Sequence, residues 1–146
     1  MSSSSSTTRI RGRAFIRDSY ERAVGFPAAC GHHPPVARVL VSEPHEDIRS
    51  LLALVVTRSG HDAVVHAEGE PLGEDAFDAA IVEPGVPGGL ALVAELAERG
   101  VVLVFASIYP ADDATLSFHP SAYLVKPFPL QTLERALGEA LAARLS

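Results

Sequence analysis

From Val36 onward, short runs of apolar residues alternate with longer stretches in which apolar positions recur every three or four residues. Val36 to Ser42 is rich in β-branched residues and almost continuously apolar, which predicts a strand covered on both faces. Pro44 then suits a first helical turn, and Ile48, Leu51, Leu52, Val55 and Val56 fall near one face until Gly60 supplies a stop. His61 to His66 reads as a second strand, and Ala67 to Asp75 as a loop of glycine and acid with room for one turn of helix. Ala79 to Val82 is a third strand; Glu83 to Gly89 is a turn cluster before a helix from Leu90 to Arg99, which Gly100 ends. Val101 to Phe105 is the most apolar run and belongs at the centre of a sheet. A weak helix over Asp112 to Ser117, a fifth strand over Ser121 to Val125 and a last helix over Leu130 to Leu145 complete the pattern.

Five strands separated by crossover segments predict an α/β fold with a parallel sheet covered on both faces, because parallel neighbours cannot be joined by a tight turn. Right-handed connections leave few topologies. The simplest is a flavodoxin-like, doubly wound, five-stranded parallel sheet of order 2-1-3-4-5 with shortened second and fourth helices. No internal repeat is visible.

The 146 residues suit one such domain. The first 35 residues break the pattern: Met1 to Thr8 is a serine and threonine tract, and Pro27 to Pro35 mixes glycine, histidine and proline without periodicity. Five arginines against Asp18 and Glu21 give residues 1–35 a charge of +3, so the remainder carries −9 of the net −6. This predicts a disordered basic extension over 1–35 and an acidic domain over 36–146. An acidic body is a poor partner for nucleic acid and suits contact with other proteins. Cys30 is the lone cysteine, which excludes an internal disulfide and makes a cytoplasmic setting the default. No apolar run approaches the roughly 18 residues of a membrane span.

Three strands end on charge: Glu43 after the first, Glu83 after the third and Lys126 after the fifth. In an open parallel sheet these ends converge on one edge, where such folds build their sites. The segments that carry the charges, Arg38-Val39-Leu40-Val41 with Glu43 and Asp47-Ile48-Arg49, Phe77 to Glu83, and Tyr123-Leu124-Val125-Lys126-Pro127-Phe128, resemble those of bacterial response-regulator receiver domains of two-component phosphorelays. The resemblance runs from Arg38 to the end and implies the flavodoxin-like, CheY-like receiver fold. It also implies phosphoryl transfer to an aspartate after the third strand, a magnesium ion held by two acids after the first strand, and a lysine and a Ser or Thr that bind phosphoryl oxygens. By the same resemblance Lys126 is the lysine, Tyr123 the switch aromatic and Pro127 the cis-proline.

Several positions depart from that pattern. Glu83 stands where the acceptor aspartate should be, and a longer side chain misplaces its oxygens for in-line attack, where 1 Å can cost roughly 100-fold. Glu43 matches the first acid, but Pro44 replaces the second, so the magnesium site is expected to be lost. At the Ser/Thr position Ala106 aligns best, while a slip of one residue would bring Ser107 into use. The resemblance is therefore to a degenerate pseudo-receiver that is no enzyme, binds no cofactor and signals by protein contact. Its expected partners are a histidine kinase, another regulator or a second copy in a homodimer, through the face of the fourth helix, fifth strand and fifth helix. No output domain is expected after the last helix. In a sharper version, Glu83 reaching Lys126 imitates the phosphorylated state.

Rival readings rest on fewer residues. An atypical phosphorylation-competent receiver would use Asp78, which precedes its strand and should lie at the opposite edge from Lys126. A ligand-binding or enzymatic domain would use the Gly85–Gly89 turn, although its spacing matches neither a Walker A loop nor a dinucleotide fingerprint. Cys30, His32 and His33 lack a fourth metal ligand, and an amphipathic basic helix over Arg9 to Arg22 is diluted by acids. His45, His61, His66 and His119 read as ordinary surface histidines.

Overall fold

The computed structural model describes residues 7–9 and 36–145. The readings placed on Cys30, His32, His33 and most of the arginine-rich stretch lie outside the described residues. Six strands form one sheet: β1 (Thr7–Arg9), β2 (Arg38–Ser42), β3 (Asp62–His66), β4 (Ala79–Val82), β5 (Val102–Ser107) and β6 (Ala122–Val125), in the order β1-β3-β2-β4-β5-β6. The five expected strands are β2 to β6, all parallel and in the expected order. β1 was not expected; it pairs antiparallel with β3, Thr8 opposite Val65, and adds a sixth strand from within the extension read as disordered.

The helices are α1 (Glu46–Arg58), α2 (Gly89–Glu98), the short α3 (Asp113–Leu116) and α4 (Leu130–Leu145). α1 begins later than the proline suggested. Its N-cap is His45, so Pro44 stands outside the helix, while Glu46 and Asp47 favour its positive end and Arg58 its negative end. No helix follows β3: residues 67–78 run as turns and irregular chain, so the expected remnant of a second helix is absent. α3 survives at four residues through a capping box, in which Thr115 N–H donates to the Asp112 carboxylate and the Asp112 N–H to the Thr115 hydroxyl.

Alternation along the central strands feeds two cores. Val39, Val41, Ile81, Val104 and Ala106 face α1 and α4, meeting Leu52, Val55, Val56, Leu133 and Leu137. Leu40, Val64, Ala80, Val82, Leu103 and Phe105 face α2, meeting Val93 and Leu96, with Leu72 and Phe77 of the irregular segment closing that side. Each buried branched aliphatic contributes about 1.5–3 kcal/mol relative to exposure. The two filled faces hold the sheet rigid, so the residues beyond its carboxyl edge have fixed positions.

Candidate functional site

Glu43, Glu83 and Lys126 directly follow the last residues of β2, β4 and β6, and the strands' common direction brings all three to one edge. The Lys126 ammonium donates to Glu43 Oε1 at 2.5 Å and to Glu83 Oε1 at 3.0 Å. All three side chains are buried; Glu43 is fully enclosed and Lys126 is 9% exposed. A cation shared by two carboxylates in such a place needs its remaining lone pairs satisfied, or the cost of desolvation would exceed the attraction.

Those partners are present. Glu83 Oε2 accepts the Gly85 N–H at 3.1 Å. Burial pushes the Glu83 carboxyl up, but the Ser107 hydroxyl, Lys126 and the Gly85 N–H together outweigh it and hold it below the usual carboxylate range. Glu43 Oε2 accepts the His45 N–H at 3.1 Å and lies 3.0 Å from His45 Nδ1, and the Glu43 carbonyl accepts Arg49 Nη1 at 3.1 Å.

Strand parity separates Ala106 from Ser107. Ala106 is packed into the α1 and α4 core, whereas Ser107 ends β5 toward Glu83, and its Oγ accepts the Tyr109 N–H at 3.0 Å. The hydroxyl at the cluster is therefore that of Ser107. The Lys126–Pro127 peptide is cis. Tyr123 packs edge-on against Phe105, with ring centres 6.0 Å apart, and donates its hydroxyl hydrogen to the Tyr109 carbonyl at 2.8 Å. Tyr109 in turn lies over Gly85: a Cβ there would come within 2.8 Å of its ring, so a larger residue would push this cover away from Glu83. Asp78 lies at the opposite edge, where its Oδ2 accepts the Arg38 N–H at 2.9 Å.

The donor set does not fit a magnesium ion. Pro44 offers no ligand, Lys126 occupies one oxygen of each carboxylate, and no group of three His, Cys, Asp or Glu among the described residues is arranged to hold a metal. A cleft of about 500 Å³ borders the Val86–Gly89 turn, α2 and the β3 end. Glu68, Glu70 and Glu95 line it, a charge that opposes a phosphate-bearing ligand.

Sequence reasoning missed His45, Tyr109 and Gly85 as parts of this cluster. The spacing Glu43-x-His45 was visible, but its meaning depends on where α1 begins.

No protein-family model and no curated protein matches this chain. Solved structures do. A sensor protein from Polaromonas sp. is 24% identical, with 75% of this chain and 99% of that one covered and a TM-score of 0.64. The BeF3-activated DrrB receiver domain is 14% identical over 74% of this chain and 99% of its own, with a TM-score of 0.66. A response regulator from Thermotoga maritima is 16% identical over 74% and 99%, with a TM-score of 0.62. The chain thus has the fold of response-regulator receiver domains. No helix among the described residues is long and apolar enough to cross a membrane.

Proposed function

We propose that this chain is a receiver-type module of two-component signalling that is not phosphorylated at Glu83, binds no magnesium and acts through protein contact. The observation that carries this reading is the clamp of Lys126 between Glu43 and Glu83. In a phosphorylatable site the ammonium must be available to the developing charge on a phosphoryl group, and the acceptor carboxylate must have a free oxygen to attack with. Here both functions are spent. The ammonium is neutralised, and both Glu83 oxygens are occupied, one by Lys126 and one by Gly85. The cluster is a permanent charge arrangement in place of a reversible one.

The contact surface in this reading is the flank of α3, β6 and α4, the face named from the receiver resemblance. Ile108, Tyr109, Leu116 and Val125 are each about half exposed on the adjoining strand ends and helix, and such apolar exposure suits a protein partner such as a kinase, another regulator or a second copy. Incubation of the chain with magnesium and acetyl phosphate, followed by intact-mass measurement, tests the reading. No hydroxylamine-sensitive acyl phosphate is expected; one that disappears in Glu83→Gln would overturn it.

A further inference from the structure

We propose that His45 is a phosphoryl-accepting residue, its Nε2 being the free nucleophile at this edge of the sheet. The ring is held by a buried carboxylate: Nδ1 lies 3.0 Å from Glu43 Oε2, the same oxygen that accepts the His45 backbone N–H. A carboxylate only accepts hydrogen bonds, so Nδ1 carries a ring hydrogen, and in the neutral ring Nε2 is then the nitrogen with the lone pair. The Glu43 side chain is fully buried and anchored at its other oxygen by Lys126, whereas the His45 side chain is 67% exposed. A fixed orienting acid behind and an accessible nucleophile in front is the arrangement that activates a weak nucleophile. Glu83, in contrast, is buried and has each oxygen already engaged by a donor.

The step balances with a phosphoramidate donor, a class that includes a partner's phosphohistidine. The Nε2 lone pair forms the new N–P bond, the donor's P–N bond breaks, and the leaving amine takes that bond pair. The imidazole becomes cationic, keeps its Nδ1 hydrogen, and has its charge offset by Glu43. No metal is needed to bridge oxygens. Glu46 and Asp47 in the adjoining turn repel the incoming dianion, so any rate advantage at His45 is owed to Glu43.

The test is incubation of the full chain with potassium phosphoramidate without metal, followed by alkaline peptide mapping with mass detection. His119 is the internal reference, since it is exposed. His45 is expected to gain phosphate at least about tenfold faster than His119, conservative beside the ~100-fold that positioned acid–base partners commonly give. The label should be acid-labile, resistant to hydroxylamine, and absent from that peptide in His45→Gln. Equal rates at His45 and His119, or total labelling unchanged in His45→Gln, would sink the proposal. A hydroxylamine-sensitive label on Glu83 would instead overturn the function proposed above and leave this one standing.

Discussion

Lys126 is the residue on which the site's electrostatics turn. Replacing it with methionine leaves Glu43 and Glu83 buried and facing one another with no cation, a change of the kind that costs about 3–5 kcal/mol. Glu83→Gln keeps the Lys126–Glu43 pair and an oxygen for Gly85, so its expected cost is about 1–2 kcal/mol. Urea denaturation of the two variants checks the order, and a larger loss for Glu83→Gln would show that the clamp is misread. The three charges were legible in the sequence because each follows an apolar run whose length fixes where a strand must stop. The hydroxyl was not, since Ala106 and Ser107 differ only in parity. The structure extends β5 to Ser107, which puts Ala106 on the face of Val104 and leaves Ser107 toward the cluster. His45 was hidden for a related reason: reading Pro44 as the first turn of α1 places His45 inside a helix, whereas as N-cap it folds back onto Glu43.

At the scale of elements, two glycines in helices carry opposite expectations. Gly89 opens α2, and a Cβ there would come within 2.6 Å of the Pro84 carbonyl oxygen, in the loop that sets Glu83. Backbone cannot yield as a flexible side chain can. Gly89→Ala is expected to cost about 1–3 kcal/mol by overpacking and to shift the amide resonances of Glu83 and Gly85. Gly138 lies on the exposed side of α4 with nothing near its missing Cβ. There alanine should stabilise by about 0.4–1 kcal/mol by restricting the unfolded chain. Thermal melts of both variants settle the contrast, and a stabilised Gly89→Ala would remove the steric argument. Helix positions were readable because apolar periodicity marks α1, α2 and α4, and the positive-φ glycines Gly60 and Gly100 follow the first two. The stretch 67–78 was overread, since a loop between parallel strands suggested a helical remnant. Leu72 and Phe77 cover the α2-side core without one.

For the molecule as a whole, the buried cluster ties stability to pH. The Glu83 carboxyl is lowered in the folded state from its ordinary 4.5, so the unfolded chain takes up its proton first as the pH falls. Its contribution is complete above about 4.5 and is lost as the pH drops through the lower folded value. Urea midpoints measured from neutrality to about pH 3 should therefore fall more steeply for the natural chain than for Glu83→Gln; parallel curves would mean that Glu83 is not held as described. The architecture followed from the sequence because β2, β4 and β5 bury both faces and leave continuous apolar traces, with β3 and β6 marked by shorter ones. β1 left none: Thr7 to Arg9 are three polar residues whose place depends on backbone pairing rather than side-chain pattern. That short strand also fixes where Thr7 lies on the sheet. Five inter-strand steps of about 4.8 Å separate β1 from β6, roughly 24 Å across the sheet. A dye, bead or fusion partner joined ahead of Thr7 would thus be moored on the flank away from the exposed Val125 and Leu116, leaving that surface clear for a surface-immobilised search for whatever docks there.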